Sequence, residues 1–444
     1  MIEICAVGGY NEVGKNMTAV KVDEHVIILD MGIHVDNYIG FTKEEDVVGV
    51  SASRLREAGV IADDTVIEKW RDNVSLIAIS HAHLDHIGAV PFNAGRYDAP
   101  ILVTPYAGAV VRAIAADEEI KLKNKLEVMQ PNSTYKISPD LKVEMIGVTH
   151  SIPETVFLAL HTKYGIVIYA TDFKFDDSPV VGKKINTRRL EEIGKSGKVI
   201  AVIMECLRAG EAVKTPSESV AREMLREVLL GTHAEGKLIV VTTFSSHIAR
   251  LKSILEFGKK LNRKVVFLGR SLAKYTSAAE EVGIAKFSNE VEIVKYGNKV
   301  KKYLRKMAKA DAGKYLLVVT GHQGEPKSTL SKMIGEYNFK FSNEDVIIFS
   351  CNVIPSPVNI ENRKKLEAKL KDKGLRIFKD IHVSGHASRE DLRELINILK
   401  PEHIIPVHGE AEKAAALVSL AKEKGYKLGK NVHLMSNGGF LKLG

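Results

Sequence analysis

The chain has 444 residues, 45% of them hydrophobic and 27% charged, a balance that excludes a disordered polymer and leaves room for two or three domains. Three cysteines without a CxxC pair argue against a disulfide framework and against a thiolate zinc site. A net charge of +9 favours a polyanionic partner through counterion release but does not by itself name one.

Met1 to Gly8 reads straight into a short strand, with no charged leader and apolar stretch ahead of it, so a cytoplasmic protein is expected. Apolar runs such as 199–204 and 316–319 are far too short to span a bilayer. Through about residue 180, short β-branched runs alternate with turn signals, and 26–29, 76–79, 101–103, 143–148 and 166–169 read as buried strands. From about residue 215 the texture changes. A helix over 217–230, opened by Thr215-Pro216-Ser217, is followed by a strand at 238–241, a helix over 247–261 and strands at 265–268 and 316–319. Such alternation predicts a parallel α/β sheet. After a strand at 346–349 come a basic helix, 361–373, and His-rich loops. The residues suited to chemistry lie before and after the α/β block, which therefore reads as an insertion.

Four of those residues, His81, His83, Asp85 and His86, fall within six positions directly after the strand 74–80. In an extended stretch residues two apart point the same way, so His81 and His83 can bite one ion together. Asp85 and His86 follow as the backbone turns and face a neighbouring position. Imidazole and carboxylate suit zinc or a similar metal better than calcium. His150 follows the strand 143–148, and Asp172 follows 166–171, as a site at one sheet edge would require.

Asp30, His81-Ala82-His83-Leu84-Asp85-His86, His150 and Asp172 resemble, in order, the motifs of the metallo-β-lactamase superfamily. Glu205 after the strand 199–203, His382-Val383-Ser384-Gly385-His386-Ala387 and Pro406-Val407-His408-Gly409-Glu410 resemble the three β-CASP motifs. Thr320-Gly321-His322-Gln323-Gly324-Glu325-Pro326 is similar to a segment of the ribonuclease J family. The resemblance covers nearly the whole chain. Because the chain stops at Gly444, where bacterial members continue, it resembles the shorter archaeal type.

The resemblance implies an αββα sandwich with an inserted parallel α/β β-CASP domain: residues 1–206, an insertion over 207–352, and a return segment over 353–444. It implies two divalent ions per chain, zinc or manganese. His81, His83 and His150 would hold one, Asp85, His86 and His408 the other, with Asp172 bridging. Asp30 would orient an imidazole without touching metal; a turn or helix cap is its plainer reading. His386 would protonate the leaving 3′-oxygen, with Glu205 orienting it. The implied activity is 5′-to-3′ hydrolysis of single-stranded RNA from a 5′-monophosphate end, and His408 in the third motif weighs toward RNA. The implied assembly is a homodimer.

Ser384, Gly385 and His386, with Ser245, Ser246 and His247, are candidates for phosphate; an ordinary Ser N-cap is the alternative for 245–247. Asn352, Ser356 and Asn359 are candidate polar lining. Phe173 and Phe175 could stack bases or pack in the core. The apolar run 414–420 could serve a dimer interface or the core. Lys121–Lys125 and Lys299–Lys309 read as solvated faces before grooves, and His322 and His382 as supporting hydrogen-bond partners. Competing activities are an RNA endonuclease, a DNA-processing nuclease, and a thioester or lactone hydrolase; a nucleic-acid-binding paralogue without metals is the non-enzymatic alternative.

Overall fold

The structure is a computed structural model describing residues 1–44, 49–307, 311–354 and 356–443. The chain divides into two compact units, one of Met1–Asp177, Gly182–Thr215 and Gly385–Gly444, the other of Ser178–Val181 and Pro216–Ser384.

Among the described residues the first unit holds a seven-stranded and a six-stranded sheet. The first runs in the order Phe440–Leu443, Ile2–Gly8, Met17–Val22, His25–Leu29, Val74–Ala78, Ile101–Val103, Leu126–Val128. The second runs His403–Val407, Val199–Glu205, Gly165–Ala170, Val156–Thr162, Leu141–Gly147, Thr134–Ser138. Alternating residues turn inward: Ile2, Ile4, Val20, Ile27 and Leu76 join one buried cluster with Met145, Leu158, Val167, Ile203 and Ile405. At about 1.5–3 kcal/mol for each large aliphatic removed from water, this two-sheet core fixes the frame from which the loops hang. The outer face of the six-stranded sheet is covered by the helices Thr187–Lys195, Arg389–Leu399 and Ala411–Glu423. The helix Pro105–Asp117 packs on Ile101–Val103 and Leu126–Val128. This is the expected αββα sandwich. The run 414–420 lies in the helix Ala411–Glu423 with Ala414, Leu417, Val418 and Leu420 buried, so it belongs to the core.

Strand direction creates the site. Gly165–Ala170, Val199–Glu205 and His403–Val407 are parallel neighbours, so Asp172, Glu205 and His408 arrive at one edge. His25–Leu29 and Val74–Ala78 are also parallel and bring Asp30 beside Ser80 and His81. Beyond their strands, Asp30, Asp172 and His408 adopt left-handed backbone, with φ of 62°, 48° and 54°. Such conformations are uncommon for residues with a Cβ and cluster where a site over-determines them.

Among the described residues the second unit holds six parallel strands, in the order Glu292–Val294, Lys264–Leu268, Tyr315–Val319, Ile239–Thr242, Val346–Phe349, Arg376–Phe378. The helix Glu218–Gly231 starts at Ser217, whose side chain accepts from Ser219 N. Residues 353–384 lie with this unit, where the sequence reading starts the return segment at 353; at the front the division falls after Thr215, not 206. The reason is topological. A parallel pair needs a crossover, and the helix Pro357–Lys371 is the crossover from Val346–Phe349 to Arg376–Phe378. Among the described residues no helix is long and apolar enough to cross a membrane.

Candidate metal centre

Three groups meet at the sheet edge of the first unit: His81, His83, His150 and Asp172; Asp85, His86, Asp172 and His408; and Asp172, Glu205 and His386. Within each, the ligand-type atoms lie within 4.8 Å of one another. Asp172 belongs to all three.

His150, His86 and His81 each have the outward nitrogen occupied. His150 Nδ1 donates to the Gly385 carbonyl at 2.7 Å, and His86 Nδ1 to Asp30 Oδ2 at 2.7 Å. His81 Nδ1 lies 2.9 Å from Ser80 Oγ, which itself donates to Asp30 Oδ2 at 2.7 Å. Asp30 also accepts from Ser80 N at 2.7 Å, so it anchors the supports of two imidazoles and caps no helix. The inward nitrogens then face one another: His83 Nδ1 is 3.1 Å from both His81 Nε2 and His150 Nε2. Asp172 Oδ2 lies 3.4, 3.3 and 3.5 Å from Nε2 of His81, His86 and His150. His408 Nε2 is 3.9 Å from Asp85 Oδ2 and 3.7 Å from Asp172 Oδ1.

These spacings suit divalent metal. Ligand atoms about 2.0–2.2 Å from a tetrahedral ion stand roughly 3.3–3.6 Å apart. Burial first, and then a neighbouring imidazole, holds His83 and His150 well below and His81 below the usual imidazole range. His150 and His81 spend their Nδ1 protons on the Gly385 carbonyl and on Ser80 Oγ, so as neutral rings they turn Nε2 lone pairs inward, which a cation would satisfy. Asp172 Oδ1 is buried without a hydrogen-bond partner among the described residues. Burial resists ionisation of Asp172, but His408, His86 and His386 outweigh it and hold its carboxyl well below the usual range.

Glu205, fully buried, accepts from Phe173 N at 2.8 Å and Ala387 N at 3.3 Å, and its Oε2 lies 2.8 Å from His386 Nδ1. Burial works against charge on His386, yet Glu205 and Asp172 prevail and raise its pKa to about 9. Its ring stacks on His408 at 5.6 Å. The loop that carries it is tied down by Thr215 Oγ1, which donates to the His386 carbonyl, and by the Ser388–Asp391 capping box.

Asn16 escaped sequence reasoning. It is fully buried, its Nδ2 donates to the Asp85 carbonyl at 3.0 Å, and its Oδ1 lies 3.1 Å from His408 Nδ1. No local spacing marks it, because its partners are 69 and 392 residues away.

Other candidates take different places. The carbonyl of Gly385 holds His150, a contact that the phosphate reading did not foresee. Ser245 and Ser246 do not cap the helix Ile248–Lys260; its N-cap is His247, without a side-chain cap bond. His247 Nε2 lies 3.3 Å from Glu218 Oε2, and Glu218 also pairs with the buried Arg250 at 2.7 Å. Ser356 caps the helix Pro357–Lys371 by accepting from Asn359 N, and the Asn352 carbonyl accepts from Gln323, so both support local structure. Phe173 and Phe175 are core residues, edge-to-face at 5.7 Å. The His322 ring packs on Phe244 at 4.2 Å, and its Nδ1 has no hydrogen-bond partner among the described residues.

Fold and site together define a metallo-β-lactamase frame carrying a β-CASP insertion. Three family models match: "Beta-lactamase superfamily domain" over residues 62–188, "Ribonuclease J, beta-CASP domain" over 236–365, and "Zn-dependent metallo-hydrolase RNA specificity domain" over 375–435. The chain is 43% identical to Ribonuclease J of Methanocaldococcus jannaschii over 98% of each chain. It is 42% identical to Ribonuclease J of Pyrococcus abyssi over 99% of this chain and 96% of that one. The chain belongs to the ribonuclease J family. A protein of unknown function from Enterococcus faecalis has the same fold, with a TM-score of 0.65 at 15% identity over 99% of each chain.

Proposed function

We propose that the chain is a two-metal ribonuclease that degrades single-stranded RNA 5′ to 3′ from a 5′-monophosphate end, releasing 5′-mononucleotides in RNA decay or maturation. The observation that carries this reading is the sharing of Asp172 by two four-residue groups, with His386 held beside them by Glu205. In this reading His81, His83 and His150 would hold one ion and Asp85, His86 and His408 the other, with Asp172 available to both. Bound there, a pair of zinc or manganese ions supplies Lewis-acid activation of water and charge stabilisation at phosphorus. Water adds to phosphorus as the bond to the 3′-oxygen breaks. His386 passes a proton to that oxygen, leaving a 3′-hydroxyl and a 5′-phosphate. Glu205 keeps the ring turned for this transfer. Ser384, Gly385 and His386, and separately Ser245, Ser246 and His247, are the proposed phosphate contacts, through hydroxyls and main-chain amides. Direction of attack rests on the family resemblance, which also supports a cytoplasmic homodimer; a solution mass of one chain by light scattering would remove the dimer.

The test is degradation of a 5′-monophosphate RNA labelled at its 3′ end, beside its 5′-hydroxyl and DNA counterparts. Mononucleotides and a progressively shortened labelled fragment are expected. Discrete internal cuts would replace the exonuclease with an endonuclease, and intact RNA would remove the ribonuclease altogether.

His386→Ala should cleave about 10²–10⁴-fold more slowly with its metal content intact; an unchanged rate would retire the proton-transfer role. Asn16→Ala should weaken metal binding about 10–100-fold, measured by chelator competition, because His408 loses the partner that turns Nε2 inward. Wild-type metal affinity in that variant would show that Asn16 is only filler.

A further inference from the structure

The second unit carries a basic pocket that the chemistry above does not use. The helix Gly297–Met307 buries Val300, Leu304 and Met307 and leaves Lys299, Lys302 and Lys306 exposed. The basic run extends to Lys309, but residues 308–310 lie outside the described ones. With the edge strand Glu292–Val294 and the turn after it, these lysines line an open pocket of about 420 Å³. Among the described residues the strand pairs on one side only, with Lys264–Leu268, so its other edge keeps main-chain donors and acceptors available. Tyr296 stands 47% exposed at the rim, with the Nζ atoms of Lys295 and Lys299 at 5.4 and 5.6 Å from its ring centre.

Charge at this pocket is one-sided. Its single acidic lining residue, Glu292, is engaged by Lys264 at 2.6 Å and by the Tyr303 hydroxyl at 2.9 Å. Among the described residues no carboxylate pairs with Lys295, Lys299, Lys302 or Lys306. Four lysines thus line one concavity, and two of them hold their Nζ atoms over its exposed ring. Lysines over about 10 Å of helix axis with an aromatic platform match a flexible polyanion whose bases can stack.

We propose that this pocket is an accessory anchor for single-stranded RNA: Lys295, Lys299, Lys302 and Lys306 neutralise successive phosphates, and a base stacks on Tyr296. The proposal rests on the reading that the chain acts on RNA, and it adds a binding surface apart from the metal centre. An acidic protein would use the lysines but not the ring. A second copy of this chain would bury both.

The full chain is titrated with a fluorescent 30-nucleotide single-stranded RNA in EDTA, so that none is consumed, across a series of salt concentrations. For the triple variant Lys299→Glu, Lys302→Glu, Lys306→Glu, binding should weaken and the slope of log affinity against log salt should become shallower by about 2, at roughly 0.7 per phosphate contact on a single strand. The corresponding Gln variant, which adds no repulsion, should show the same loss of slope. Tyr296→Ala should bind about 5- to 100-fold more weakly, whereas Tyr296→Phe, keeping the ring, should match wild type. Wild-type affinity and slope in both lysine variants would overturn the anchor. So would a dimer that falls apart in the Glu variant, which would make this face a contact between copies. Cleavage of a 5′-phosphorylated RNA with metal restored separates the two readings. RNA bound through these lysines but never cut would remove the ribonuclease and keep the anchor; cutting with an unchanged salt slope would do the reverse.

Discussion

An Asp172→Asn variant is expected to lose at least about 10³-fold in RNA cleavage, and its metal content should fall. Bound ions would contribute several kcal/mol of charge stabilisation, and each tenfold in rate corresponds to about 1.36 kcal/mol. Asp172 is the only residue common to the three groups at the sheet edge. Its Oδ2 is within 3.5 Å of three imidazole nitrogens, and its Oδ1 is buried without a hydrogen-bond partner among the described residues. Asparagine keeps the volume and tolerates the left-handed φ of 48°, so the backbone has no reason to rearrange. What it removes is the negative charge that two cations would share. Metal content by mass spectrometry and cleavage rate should fall together, with melting in the metal-free state little changed. A variant with two ions and a normal rate would contradict the bridging assignment.

Gly385→Ala is expected to damage both stability and activity although it adds one methyl group. A Cβ at this position would stand 2.7 Å from Ser151 Cβ and 2.8 Å from both His150 Nδ1 and Ser151 Oγ. The same residue's carbonyl accepts the proton that fixes the His150 tautomer. The methyl group therefore pushes on the ring that its own backbone is meant to hold. Overpacking of this kind costs about 1–3 kcal/mol of stability, and misplacing the support of a metal-binding histidine costs about 10–100-fold in activity or affinity. Adding Ser151→Gly should recover part of the stability, because two of the three close contacts vanish, but less of the activity. Full activity and unaltered melting in Gly385→Ala would mean that the loop yields freely.

How much was legible in the sequence follows from how local each signal was. His81 to His86 announce themselves because four ionisable side chains crowd one strand end, and His150 and Asp172 repeat the strand-then-ligand pattern. Their left-handed neighbours are another matter: nothing in the residue types at 30, 172 and 408 states that the chain must bend there. Asn16 was illegible because its contacts are made across most of the chain. Gly385 was noticed but for phosphate, since a sequence shows the lack of a side chain and not what occupies the space. The second unit extends beyond residue 352, although the helix Pro357–Lys371 and its strand look, as text, like the start of something new. Only pairing with Val346–Phe349 reveals that they finish the parallel sheet. Phe173 and Phe175 beside Asp172 could, as text, stack bases or pack in the core, and both pack in the core.

The parallel pairing of His403–Val407 with Val199–Glu205 has a consequence for the chain as it is made. Synthesis at roughly 5–20 residues per second leaves about 10–50 s between the emergence of residue 172 and that of residue 408. During that interval Val199–Glu205 is an uncovered sheet edge, the kind of surface that recruits stray strands. His81, His83, His150 and Asp172 are already present, whereas Asp85 and His86 wait for their partner. The order of translation therefore makes the His408 group the last to close. A ribosome-bound chain stopped short of it would carry half a centre beside an open edge.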